Sequence, residues 1–165
     1  MKTPKLQDEL KKKQPFGCPE QEAALSVLRT SDQLQIRFAR LLREHGLTLS
    51  QYNVLRILRG EGKPLPILKI ASRTIAVVPG ITGVIDRLER AGFVNRVRCE
   101  EDRRVIHVVL AERGTTTLAA LDEPIIALHR TLLGHLSPAE LKELIRLLAK
   151  TREAFDDRAE GAADS

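Results

Sequence analysis

The chain has 165 residues, 42% of them hydrophobic, with 27 Lys and Arg against 22 Asp and Glu and a net charge of +5. Such a length suits one domain or a small module with added dimer elements, and an aliphatic composition with 3% aromatics and no Trp favours packed helices over a β-sandwich. The moderate positive excess fits either polyanion binding or ordinary solubility charge, while scarce aromatics argue against base stacking on single strands and no apolar run approaches a membrane span.

Residues 1–19 are polar and basic, with Lys2, Lys5, Lys11, Lys12, Lys13 and three prolines, and read as a flexible basic arm. The N-terminus is charged and lacks the apolar core of a secretory signal, so a cytoplasmic location is expected. Residues 20–46 have helical spacing, through Ala24, Leu25, Leu28, Leu34, Phe38, Leu41 and Leu42, and Gly46 stops them. Thr48 and Gln51 have capping-box spacing and open a second helix with Tyr52, Val54, Leu55, Ile57 and Leu58 as its apolar residues. Gly60 and Gly62 end it, and Pro64 and Pro66 punctuate a turn. A third, short helix is predicted over Ile67–Ile75. A fourth starts at Val78-Pro79, carries Ile81, Val84, Ile85 and Leu88 on one stripe, and closes at Ala91-Gly92.

From Val94 the period changes to two. Val94, Arg96 and Arg98 begin a strand, a charged tip follows at residues 100–104, and Val105–Leu110 returns as a second strand. A long helix comes next, with Leu118, Leu121, Ile125, Leu128, Leu132 and Leu136 on one face and Pro124 inside it to bend the axis or remove a hydrogen bond. Ser137, Pro138 and Glu140 mark the start of a last helix bearing Leu141, Leu144, Ile145, Leu148 and Phe155. The final residues are acidic and small.

A short helix feeding a two-stranded ribbon with a cationic tip is the plan of a winged helix, whose helix fits a DNA major groove and whose ribbon reaches phosphates or the minor groove. The predicted fold is mainly α: a winged helix-turn-helix over residues 47–111, an N-terminal dimerisation helix at 20–46, C-terminal dimerisation helices at 112–157 and a frayed tail at 158–165. The outer helices are too apolar for their length to serve one winged-helix core, which predicts that they interlock with a second copy in a homodimer.

The string from Leu47 to Gly114 resembles the MarR family of bacterial transcription regulators. The marks are LTLSQYNVLRIL, ITGVIDRLERAGFVNR and EEDRRVIHVVLAERG. The resemblance implies a homodimer on a pseudo-palindromic double-stranded DNA operator, acting as a repressor released by a small aromatic or phenolic effector or by oxidation. It places Pro79, Gly80, Thr82, Gly83 and Arg87 on the groove-facing side of the recognition helix. It also makes Arg104 the minor-groove arginine of the wing, Asp102 the carboxylate that holds it, and Arg103 a phosphate contact. Where the family often has a capping Ser before the recognition helix, this chain has Val77-Val78, an unusually apolar turn between DNA-facing helices.

Other residues admit two readings. Arg87 has no carboxylate three or four residues away, whereas Asp86 and Arg90 have ion-pair spacing and are expected to pair. Arg96 and Arg98 fit a structural or a phosphate-binding role equally, and Arg73 and Lys69 are candidates for backbone phosphate. Phe38, Tyr52 and Arg56 can line an effector pocket or serve as plain core and surface. Cys18 precedes Pro19 without a setting that would lower a thiol pKa, and Cys99 has no assigned role. His45, His107, His129 and His135 form no i, i+4 ligand pair, so neither metal nor cofactor is expected. No nucleophile, base and acid set or phosphate-cradling loop marks an enzyme. The alternative function is a winged helix used for protein contact, without a specific operator.

Overall fold

The computed structural model describes residues 5–98 and 105–161, with side chains through residue 155. The expected wing tip and Cys99 lie outside the described residues. The chain divides into two units, residues 1–124 and 125–165.

In the first unit, α1 (Leu6–Glu9) is a single turn within the segment read as an arm, and α2 (Pro19–Glu44) is the long N-terminal helix. The capping box opens α3 (Leu49–Glu61): the Thr48 backbone N–H donates to Gln51 Oε1 at 2.8 Å, and the Gln51 N–H donates to Thr48 Oγ1 at 3.3 Å. Two backbone donors that no helical carbonyl can reach are thereby satisfied. Strand β1 (Leu65–Pro66), α4 (Ile67–Ala71), α5 (Ile81–Arg90), β2 (Val94–Arg98), β3 (Ile106–Leu110) and the part of α6 (Glu112–Leu133) up to Pro124 follow. Helix α7 (Pro138–Gly161) lies in the second unit and is opened by a second reciprocal cap between Ser137 and Glu140.

The sheet has order β1-β3-β2 and is antiparallel throughout. Val94 opposes Leu110, Arg96 opposes Val108, and Leu65 opposes Val108 from the other side. The ribbon is therefore three strands wide at its root, where the sequence predicts two. Pro66 has no N–H to give a ladder, which suits it to the short edge strand it occupies. Two residues are also too few to show a period of two.

The winged-helix core is aliphatic, as the composition predicts. Val54, Leu55, Ile57 and Leu58 of α3, Ile70 of α4, Val84, Ile85 and Leu88 of α5, and Val94 and Val108 of the sheet are buried together with Leu42, Leu118 and Leu121. Helix α4 stops at Ala71, four residues before the predicted end. There Ser72 Oγ donates to the Lys69 carbonyl at 3.1 Å and Thr74 Oγ1 to the Ala71 carbonyl at 2.8 Å, so hydroxyls take over the last carbonyls of the helix.

The first turn of α6 locks the α5–β2 connection in place. The Ala111 N–H donates to the Phe93 carbonyl at 3.0 Å, Arg113 Nη1 donates to the Ala91 carbonyl at 2.7 Å, and the Arg113 guanidinium lies 4.6 Å from the centre of the Phe93 ring. Gly114 is the point of closest approach: a Cβ there would stand 2.3 Å from the Phe93 carbonyl oxygen. Gly114→Ala should therefore cost about 1–3 kcal/mol, because backbone must move. In contrast Gly83→Ala, where a Cβ meets nothing within 4 Å, should stabilise α5 by about 0.5–1 kcal/mol. Urea midpoints at constant m-value measure both, and a Gly114 variant as stable as the parent would end the close-approach account.

Candidate nucleic-acid interface

Helix α5 buries Val84, Ile85 and Leu88 and leaves Thr82 and Arg87 exposed on its other side. The buried stripe fixes the helix's rotation, so the outward face follows from the spacing of its aliphatic residues. Its start departs from the predicted one. Val78 and Pro79 precede the helix, and the N-cap is Gly80 at φ 66°, ψ 42°, a left-handed conformation that a residue with a Cβ resists. No side chain caps this end, as the missing serine implies. The first-turn N–H groups that no carbonyl reaches, at the positive end of the helix dipole, thus have no side-chain cap among the described residues. Pro79 and Gly80 lie at the mouth of the recognition helix rather than along its face.

The charges around α5 sort into two sets. Residues 67–98 hold six Lys and Arg but only two Asp and Glu, Asp86 and Glu89. Both carboxylates are engaged by one residue of β2. Arg96 Nη2 donates to Asp86 Oδ1 at 2.6 Å, Arg96 Nη1 donates to Glu89 Oε2 at 2.6 Å, and the Arg96 backbone N–H donates to Glu89 Oε1 at 3.1 Å. The paired carboxylates hold the guanidinium's pKa above its ordinary value, against the opposing effect of burial. Arg96 is thus structural, which decides between its two readings. The expected Asp86–Arg90 pair is replaced: Asp86 turns to Arg96, and Arg90 Nε donates to the Asp86 backbone carbonyl at 3.4 Å. A planar fork held between two carboxylates outcompetes a solvated pair one helical turn apart.

With Asp86 and Glu89 so occupied, Lys69, Arg87, Arg90 and Arg98 remain exposed cations on α4, α5 and β2. Arg73, a predicted phosphate contact, is ion-paired to Glu61 of α3 and still half-exposed. That guanidinium, with Lys63, lowers the Glu61 carboxyl pKa. Asp102, Arg103 and Arg104, the predicted wing-tip residues, lie outside the described residues.

The predicted effector residues are dispersed over α2 and α3. Phe38 and Tyr52 are half-buried and Arg56 is exposed. Two cavities among the described residues are lined by other side chains. One of about 300 Å³ is lined by Leu6, Glu9, Ser26, Arg29, Thr30 and Gln33, and one of about 250 Å³ lies beside Leu58, Arg59, Pro64 and Leu110. Cys18 is exposed; the Glu20 backbone N–H, and after it the Cys18 thiol, hydrogen-bond the Glu20 carboxyl and hold it below its usual range. An anionic partner is the opposite of the electropositive setting that activates cysteines. Among the described residues no group of three His, Cys, Asp or Glu is placed to hold a metal, and no helix is long and apolar enough to cross a membrane.

Replacing Arg96 by Met keeps most of its volume and leaves two carboxylates facing each other without a cation. Discounted for the partial exposure of both acids, the change should cost about 1–2 kcal/mol, and Arg96→Lys should recover only part of it, because an ammonium cannot fork. Urea unfolding of the three proteins checks this. Equal midpoints for Met and Arg would show that the bridge contributes nothing.

The MarR family model matches residues 47–106, from the lead-in to α3 to the return strand. YkoM, an HTH-type transcriptional regulator of Bacillus subtilis, is 38% identical over 110 residues, which cover 66% of this chain and 70% of that protein. The homoprotocatechuate degradative operon repressor of Escherichia coli is 24% identical over 124 residues, 75% of this chain and 83% of that one. The crystal structure of a MarR transcription factor from Planctomyces limnophilus shares 40% identity with a TM-score of 0.63, covering 82% of this chain and 98% of that one. All three are transcription regulators rather than enzymes. With an aliphatic helix-turn-helix, a ribbon rooted on its recognition helix and these relatives, the chain belongs to the MarR family of transcription regulators.

Proposed function

We propose that the protein is a repressor that binds a pseudo-palindromic double-stranded DNA operator as a homodimer. The observation that carries this reading is the division of charge on α5 and its neighbours. The carboxylates are spent on Arg96, and Thr82, Arg87, Lys69 and Arg98 face solvent beside an uncapped helix start. Such a face suits phosphates and base edges. Arg87 meets a phosphate or a guanine, and Thr82 meets a base edge or phosphate. Gly80 and Gly83 allow close backbone approach, and Pro79 faces the groove with them. In the wing, Asp102 holds Arg104 for the minor groove and Arg103 meets phosphate, as the family resemblance implies.

Each unit leaves apolar surface for a second copy. In the first, Val27, Leu28 and Ile36 of α2 are exposed; in the second, Leu144, Ile145, Leu147 and Phe155 of α7 are exposed. Rows of this kind on helices of 26 and 24 residues fit a two-fold interface. Repression is supported by the E. coli relative, a repressor of a degradative operon. Release by a small aromatic or phenolic effector held near Phe38, Tyr52 and Arg56 completes the proposal, and the site of action is the cytoplasm.

Selection from random duplexes should return a two-fold motif with half-sites about 34 Å apart. Against that duplex, Arg87→Ala should lower affinity by about 1–3 kcal/mol if the side chain meets a base, or reduce the slope of log K against log salt by about one if it meets phosphate. Fluorescence polarisation over a salt series measures both. Unchanged affinity and slope would remove Arg87 from the interface, and a selection without a symmetric motif would favour a protein-contact module.

A further inference from the structure

The connection between α4 and α5 presents large aliphatic side chains to water. Val77 is 91% exposed and Ile75 is 78% exposed, and Leu68 in the first turn of α4 is 82% exposed. Local structure does not ask for these residues: turns favour Gly, Asn, Asp, Ser and Pro, and β-branched side chains fit strands. Core packing does not ask for them either, since almost none of their surface is covered. The two β-branched chains lie in the last residues before the open, left-handed start of the recognition helix at Gly80.

Their surroundings select the chemistry of the occupant. Glu61 and Asp86 flank the segment from Gly62 to Ile85 and are engaged, Glu61 by Lys63 and Arg73 and Asp86 by Arg96, while Lys69 within it and Arg87 beyond it stay exposed. An apolar spot beside exposed cations, with the neighbouring acids already paired, fits a polyanion that also displays methyl groups. In B-form DNA the apolar group on the major-groove floor is the thymine C5 methyl, which sits among hydrogen-bonding edges and between two phosphate rows. We propose that Ile75 and Val77 read thymine methyls in each half-site, so that the turn confers sequence preference by apolar contact where a capping hydroxyl would only anchor a phosphate. This inference rests on the DNA-binding reading above.

The test uses the full-length protein and the strongest duplex recovered from random selection. Each thymine is replaced in turn by deoxyuridine, which pairs identically and lacks only the methyl. One or two thymines per half-site should each lose about fourfold in affinity, the worth of burying one methyl-sized group. Val77→Ala and Ile75→Ala should bind the parent duplex more weakly and lose the thymine-over-uracil preference at those positions. Their salt slope and far-UV circular dichroism should stay those of the parent, because the replaced side chains touch neither phosphate nor core. A bound duplex indifferent to every uracil replacement, or alanine variants that keep the full preference, would overturn the inference while leaving DNA binding intact. Alanine variants with a changed oligomeric state would overturn it by assigning the turn to a protein contact. A protein that selects no duplex at all would remove the DNA-binding reading and the inference with it.

Discussion

One guanidinium sets the relation between the two parts of this winged helix that face outward. Arg96 stands on β2 and grips Asp86 and Glu89, both on α5. The two acids are three residues apart, hence neighbours on one helix face, and the planar fork meets both at once. The root of the ribbon is thus tied to a helix whose rotation is already fixed by Val84, Ile85 and Leu88 in the core. Aliphatic packing sets the angle of the helix, and the bridge carries that angle into the ribbon.

The same bridge shapes the electrostatics. Asp86 and Glu89 are the acids of the recognition helix, and their charge is matched by a residue that would otherwise have been another outward cation. Lys69 and Arg87 are thereby left exposed beside acids that are already paired. At the opposite end of the ribbon root, Arg113 and Gly114 close α6 onto Phe93. The E-R-G run after the second strand is thereby explained in physical terms. Arginine reaches the Ala91 carbonyl and the Phe93 ring, and the glycine lets two backbones touch.

Much of this fold was legible in the chain because its signals are local and repeated. The α5 stripe, the Thr48 and Gln51 cap, the Ser137 and Glu140 cap and the switch to a period of two all rest on neighbours within about four residues. What was not legible depends on the third dimension. Strand β1 has two residues and exists because β3 lies beside it. Asp86 has a good helical partner in Arg90, yet a residue ten positions on from Asp86 takes it. Helix α5 starts at Ile81 rather than at Val78-Pro79, because Pro79 mimics a first turn, whereas the left-handed Gly80 opens the helix. The Arg73 pair with Glu61 joins the end of α3 to the turn after α4 and was equally hidden.

The third contact of Arg96 has a consequence of its own. Strand β2 is the longer of the sheet's two outer strands, and outer strands offer unpaired amides on which foreign chains can add. Its backbone N–H at Arg96 points away from β3 and is already taken by Glu89 Oε1. The carboxylate occupies the donor at the midpoint of the strand, and an incoming peptide would have to displace it to continue the ladder. A side chain of the neighbouring helix thus seals a border of the sheet against edge-to-edge aggregation.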